Sequence, residues 1–218
     1  MERIDYLPHH KDIKIIQDTD MFCINTDTEV LGEFIEVYRE DTVLDIGCNN
    51  GALLLYASRF SPKNLIGIDI NEKAVELARR NMALNNVSAE ILVADGNTFT
   101  LEEKASVVIF NPPYFKVIKD EKVKNDYLYL AKHEDNFPLE SMIECINRNL
   151  KEGGTLFFLF ETKRMMEVVR LLDSKNIKIK EMKFVYDINK ENSNVFMIKG
   201  IKNSRDGVKV TKPIIITR

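Results

Sequence analysis

Cysteine and histidine are scarce in this chain, with three of each among 218 residues, and tryptophan is absent. Cys23, Cys48 and Cys145 lie far apart with no partner at ligand spacing. That argues against a disulfide framework or a zinc site and leaves buried thiols as the expectation. His9, His10 and His133 are equally scattered, so neither metal nor triad chemistry is spaced out along the sequence. Long apolar runs are missing too, and nothing nears the roughly 18 uninterrupted apolar residues of a membrane helix. The opening MERIDYLPHHKD is charged throughout and does not read as a signal peptide. A soluble, cytoplasmic protein with no metal, no membrane contact and no obligate protein partner is expected. The net charge of −3 provides no global basic field, so contact with nucleic acid would need a local basic patch. Repeats, low-complexity tracts and Pro/Gly/Ser-rich linkers are also lacking, which leaves a two-domain split without support.

What is present, from Thr42 onward, is alternation. Apolar runs at 42–46 (TVLDI), 64–70 (NLIGIDI), 89–95 (AEILVAD), 106–111 (SVVIFN) and 155–160 (TLFFLF) predict buried strands. Residues 177–186 and 194–202 predict two more, joined by a polar turn. Helical spacing falls at 28–38, 52–59, 139–150 and 165–172. A further helix is capped by Asn71 and carries Ala74, Leu77, Ala78, Met82 and Leu84 on its apolar face. Gly153-Gly154 reads as a turn. The pattern predicts an α/β, Rossmann-like fold: a doubly wound, mostly parallel seven-stranded sheet with a C-terminal antiparallel hairpin at one edge.

In such a sheet ligands bind beyond the carboxyl ends of the strands, near the switch in strand order. Those ends are Asp45-Ile46-Gly47, Asp69, Asp95-Gly96 and Asn111-Pro112-Pro113-Tyr114, four successive functional endings around one crevice. DIGCNNGA (45–52) puts Gly47 and Gly51 at a strand-to-helix turn, where missing side chains admit a ligand to the backbone. Asp69, about twenty residues on, suits the hydroxyls of a ribose. A pyrophosphate site wants Gly-x-Gly-x-x-Gly, which is not met, and Asp45 would repel a pyrophosphate. The same carboxylate suits an ammonium and a sulfonium, which favours S-adenosylmethionine over a nicotinamide cofactor.

The ordered series VLDIGCNNG, IGIDIN, VADGN and FNPPY resembles the motifs of class I S-adenosylmethionine-dependent methyltransferases, in their amino-methylating branch. ERIDYL with IKIIQ, FCINTDTEVLGEF, FNPPYFK, AKHE (131–134), FVY (184–186) and NVFMIKGIK are more narrowly similar to the bacterial valine-tRNA (adenine-N6)-methyltransferase family. The resemblance implies a single methyltransferase domain over 1–218, with a lid segment at 1–41, a cofactor-binding core at 42–160 and a C-terminal helix and strands at 161–218. It implies a cofactor site of Asp45, Gly47, Asn49, Gly51, Asp69, Ile70, Asp95, Gly96 and Asn111. In it Asp69 holds the ribose, Asp95 accepts from the cofactor's adenine, Gly96 leaves room beside that ring, and Thr26-Asp27-Thr28 closes the methionine end. Asn49 departs from the family pattern, which commonly has glycine there, and cofactor affinity is the property this departure touches. Asn tolerates left-handed angles, so the turn itself is expected to survive.

The resemblance further implies that Asn111, Pro112 and Tyr114 carry the chemistry. The Asn111 side-chain oxygen and the Pro112 carbonyl would accept the two protons of a planar amine, and Tyr114 would stack the base. Phe115 reads as a packing residue. Lys116, His133 and Arg164 are implied on the substrate side, with Lys119, Lys122 and Lys124 following the motif and six Lys/Arg against one Asp in residues 199–218. The expected substrate is an adenine N6 amine in the anticodon loop of a tRNA. Alternatives are guanine N2 in ribosomal RNA or another amino acceptor, a non-catalytic RNA-binding protein on this fold, and, disfavoured by the glycine spacing, a nicotinamide oxidoreductase. Relatives acting on glutamine usually carry a helical N-terminal domain, and only about forty residues precede the first core strand here.

Overall fold

A computed structural model of the protein describes residues 1–112 and 137–217. The chain opens with a hairpin of β1 (Glu2–Leu7) and β2 (His10–Asp18), followed by α1 (Thr26–Phe34). Alternation then runs β3 (Thr42–Ile46), α2 (Ala52–Ser58), β4 (Asn64–Asp69), α3 (Glu72–Leu84), β5 (Glu90–Val93) and β6 (Ala105–Phe110). After the undescribed stretch come α4 (Leu139–Asn149), β7 (Leu150–Glu161), a short 3₁₀ turn at Thr162–Arg164, α5 (Met165–Ser174), β8 (Ile177–Asp187) and β9 (Val195–Lys202). Two short strands finish it, β10 (Lys209–Val210) and β11 (Ile214–Ile216).

The seven expected strands form one sheet in the order β8-β9-β7-β6-β3-β4-β5, and β10 and β11 extend it by pairing in parallel with β8. Strand order reverses between β3 and β6, each parallel to the other. That reversal is the switch point where the crevice opens. The C-terminal hairpin stands at one end of the sheet, as expected. β9 lies inside the sheet, antiparallel to β7 on one side and β8 on the other, because Phe196, Met197 and Ile198 are apolar on both faces and fully buried.

Alternate strand residues face two cores. Val43, Val107, Ile109, Phe157 and Leu159 pack with α1, α2, α3 and the opening hairpin. Leu44, Val108, Phe110, Leu156, Phe158 and Phe160 pack with α4 and α5. Each such burial contributes roughly 1.5–3 kcal/mol.

Several elements depart from the sequence reading. Helix α1 begins at Thr26 rather than residue 28, because the Asn25 side chain accepts the Thr28 N–H and caps it, and it ends at Phe34 where Ile35 turns extended. Leu84 is 38% exposed, past the buried stripe of α3, and the fully buried polar side chain on that helix is Asn81. Gly153 and Gly154 do not stand apart as a turn before the strand. They lie inside β7, in a bulge where Ala105 pairs with Leu150 and Val107 with Thr155. Cys48 and Cys145 are buried, but Cys23 is only half-buried.

The opening hairpin was not foreseen. Its strands meet with Leu7 opposite His10, so Pro8 and His9 form the tight turn, Pro fixing the first φ and His9 taking a φ of +63°. The open edge of β2 finds its partners in a helix. Asn85, the C-cap of α3, accepts the Lys14 N–H and donates to the Lys14 carbonyl, and Asn81 within the helix does the same for Ile16. Two asparagines one helical turn apart thus stand in for a neighbouring strand, leaving those edge groups no unpaired cost.

Candidate active site

The turn after β3 is built from left-handed residues, with φ of +67° at Gly47, +47° at Asn49 and +80° at Gly51. A Cβ at Gly51 would have to displace the flexible end of Met82, at 2.8 Å, and would crowd Ala78 Cβ at 3.3 Å, in addition to the strain of the left-handed angle. At Gly47 the space is open, the nearest atom being a Phe110 ring carbon at 3.8 Å. The turn is fixed to β4 by the Cys48 N–H, which donates to the Ile68 carbonyl at 2.9 Å.

Two carboxylates face this turn. Asp69, at the end of β4, accepts the Asn49 N–H on one oxygen and the Asn71 N–H on the other, both at 2.9 Å. Burial raises its pKa, and the backbone N–H groups of Asn71, Asn49 and Ile70 offset part of that rise. Each oxygen keeps acceptor capacity, which is what a pair of ribose hydroxyls requires. Asp45 is 1% exposed, and neither of its oxygens has a hydrogen-bond partner among the described residues. Burial, and then the charge of Asp69, push its carboxyl well above the usual range. A buried carboxylate without a partner is costly, so the site is built for a ligand that brings hydrogen-bond donors or positive charge. The Asn50 amide Nδ2 is likewise buried without a partner among the described residues. These residues fit the ammonium, sulfonium and ribose expected of S-adenosylmethionine.

Beyond β5, Asp95 accepts both the backbone N–H and the side-chain amide of Asn97 at 2.8 Å, leaving its carboxylate on an exposed turn. Gly96 makes room for a protein ring: a Cβ there would lie 2.6 Å from Phe137. Phe137 in turn packs on Phe110, with ring centroids 5.9 Å apart. Ile70 and Val93, 62% and 47% exposed, give the crevice an apolar rim. Arg148 of α4 holds the loop by donating to the carbonyls of Gly96, Asn97 and Phe99. Asn149, fully buried, accepts the Leu101 N–H at 2.7 Å. The sequence reading missed Phe137, Arg148 and Asn149. For Asn149 a signal existed, since it falls at helical spacing on the same face as Met142 and Ile146.

At the end of β6, the pairing of Ile46 with Phe110 carries Gly47 and Asn111 side by side out of the switch point. Asn111 is half-buried and Pro112 buried. Pro113, Tyr114, Phe115, Lys116, Lys119, Lys122, Lys124 and His133 lie outside the described residues. Arg164, after β7, is packed: its side chain is 9% exposed, bonds Glu167 through two nitrogens at 2.7 Å, and lies 5.1 Å over the Phe160 ring. Asp27 is buried in the first turn of α1, behind the Asn25 cap. Among the described residues no helix is long and apolar enough to cross a membrane.

The sequence matches the family described as the methyltransferase small domain over residues 12–186. The valine-tRNA (adenine(37)-N6)-methyltransferase of Vibrio campbellii is 29% identical over 139 residues, 62% of this chain and 57% of that protein. The release factor glutamine methyltransferase of Flavobacterium psychrophilum is 28% identical over 148 residues, 62% of this chain and 51% of that protein. The chain thus spans little more than half the length of either relative. Among solved structures, the Pyrococcus abyssi tRNA (uracil-54, C5)-methyltransferase in complex with S-adenosyl-L-homocysteine superposes with a TM-score of 0.64 at 20% identity, covering 92% of this chain and 44% of that one.

Proposed function

The chain belongs to the methyltransferase small domain family, and on that footing we propose that it methylates the N6 amine of an adenine in tRNA, beside the anticodon of a valine tRNA. The single observation that carries this reading is the juxtaposition at the switch point. Asp45, without a hydrogen-bond partner among the described residues, and the Gly47 turn leave β3 directly beside Asn111-Pro112 leaving β6.

S-adenosylmethionine is the methyl donor, and when bound it supplies a methyl group already activated on a sulfonium. The residues of the chain then have to hold donor and acceptor in line and keep water out. Asp45 receives positive charge, Gly47 and Gly51 admit the ligand to the backbone, and Asp69 takes the ribose. Asp95 and Ile70 serve the adenine end. On the acceptor side the Asn111 oxygen and the Pro112 carbonyl take the two amine protons, turning the nitrogen lone pair toward the methyl group. The amine would become acidic only as it is alkylated, and the Asn111 oxygen and Pro112 carbonyl would hold the proton that it gives up until the product leaves. Asn serves better than Asp here because a neutral oxygen does not compete for the cation. Tyr114 supplies the stacking face for an unpaired base, and Lys116 and His133 complete the RNA side; Arg164, bonded to Glu167 and packed over Phe160, is taken up within the fold instead.

A second reading has a specific support. A glutamine amide offers the same planar NH₂, and the chain is also similar to a release factor glutamine methyltransferase. Tritium transfer from labelled S-adenosylmethionine into an extract of cells lacking the gene separates the two. Label in tRNA supports the adenine reading; label in protein supports the glutamine reading and rejects the first.

A further inference from the structure

Position 49 departs from the glycine that the resemblance leads one to expect, and the structure gives this residue a job that glycine cannot do. Its backbone takes a φ of +47°, which Asn tolerates at little cost. Its N–H donates to Asp69 Oδ2 at 2.9 Å, and its side-chain Nδ2 donates to the Phe22 carbonyl at 2.6 Å. Phe22 lies in the connector 19–25 between β2 and α1. That connector is also bonded to its own hairpin, where the buried Gln17 accepts the Ile24 N–H at 2.6 Å and donates to Asp5 at 2.6 Å, and its Met21 packs against Ala74 and Leu77 of α3. One residue later the Asn50 carbonyl accepts from Asn81, which also grips Ile16 of β2. The turn read as the cofactor's seat is therefore bonded to the N-terminal arm at two successive residues. One of the bonds goes through a fully buried helix residue and the other directly to the connector.

We propose that Asn49 is a positioning residue that ties the 19–25 connector onto the cofactor turn, and that this tie slows the release of a bound cofactor. The inference rests on the reading of the 47–51 turn and Asp69 as the cofactor site. A glycine at 49 would keep the left-handed turn and the bond to Asp69 but leave the Phe22 carbonyl to water. The tie would then slow release of the ligand and quieten the connector, while contributing little to the fold as a whole.

The test uses the full chain with S-adenosylhomocysteine as probe, and reads release by displacement of bound tritiated ligand. Asn49→Gly is expected to speed release about five- to tenfold, the scale of one lost hydrogen bond to a ligand-bearing element, with association little changed. Amide hydrogen exchange at residues 22–25 should rise in the same variant without ligand. Asn49→Asp keeps the shape and the left-handed tolerance but sets an acceptor against the Phe22 carbonyl, and should release the ligand at least as fast. Release within about twofold of the unaltered protein in both variants, with exchange at 22–25 unchanged, overturns the proposal, since that is what a purely structural residue gives. A parent protein that binds no S-adenosylhomocysteine overturns the cofactor reading itself, and this inference with it.

Discussion

Asn81 binds the peptide of Ile16 from both directions, accepting its N–H at 2.7 Å and donating to its carbonyl at 3.0 Å. Its other amide proton goes to the Asn50 carbonyl at 2.9 Å. One fully buried side chain thereby joins α3, the opening hairpin and the turn after β3. Replacing it by Leu, similar in size but unable to hydrogen-bond, strands three backbone groups. Asn81→Leu should cost about 2–4 kcal/mol, read as a lowered urea midpoint. A loss below about 0.5 kcal/mol would mean that the hairpin is held by the burial of Leu7 and Ile15 in the core instead.

The Asp45 carboxyl carries a pH signature. Its folded pKa lies well above the unfolded value of about 3.9. The native state therefore holds more protons than the unfolded state between those two values. The contribution of this group to stability falls as pH rises through that window, and Asp69, shifted the same way, adds to it. Asp45→Asn removes the buried charge. It should raise the melting temperature of the ligand-free protein at pH 7, by the equivalent of about 1–3 kcal/mol, and flatten the pH dependence above pH 4. The same change should weaken S-adenosylhomocysteine binding at least about tenfold, because the ammonium loses its partner. A variant that binds the ligand unchanged would remove Asp45 from the site.

The two outer glycines of the turn should respond differently to alanine. Both have positive φ, but only at Gly51 does an added Cβ run into neighbours, at 2.8 Å from Met82 and 3.3 Å from Ala78. Gly51→Ala should destabilise by about 2–3 kcal/mol and Gly47→Ala by about 1 kcal/mol. Calorimetric melting of the two variants measures the difference, and equal costs would place the strain elsewhere.

Asn111 is expected to act on the acceptor and not on the fold, since it is half-buried at the mouth of the crevice. Asn111→Ala should lower turnover by more than about 100-fold while leaving S-adenosylhomocysteine affinity within about threefold. Lost binding with lost turnover would show that the residue had been given the wrong task.

The parts of this site that could be read in the sequence share a physical reason. Buried parallel strands are nearly continuous apolar runs, so Asp45, Asp69 and Asn111 stand out where those runs stop. The hairpin was harder to see. HKDIKIIQD alternates only in part, and the partners of its open edge are side chains 65 and 71 positions away, Asn81 and Asn85. Strands β10 and β11, of two and three residues, are too short to show a period. The role of Asn49 was hidden because a motif reading sees only what the position lacks as a glycine. The contact of Gly96 with the Phe137 ring, 41 positions away, has no signature in the sequence either.

The account as a whole turns on which amine receives the methyl group. Mass analysis of nucleosides from the valine tRNA of a deletion strain, before and after incubation with the protein and S-adenosylmethionine, addresses it directly. The account predicts that N6-methyladenosine is absent beforehand and appears with the protein, and does not appear with Asn111→Ala. A tRNA that already carries N6-methyladenosine in the deletion strain, or that gains a methyl group on guanine or none at all, would contradict it.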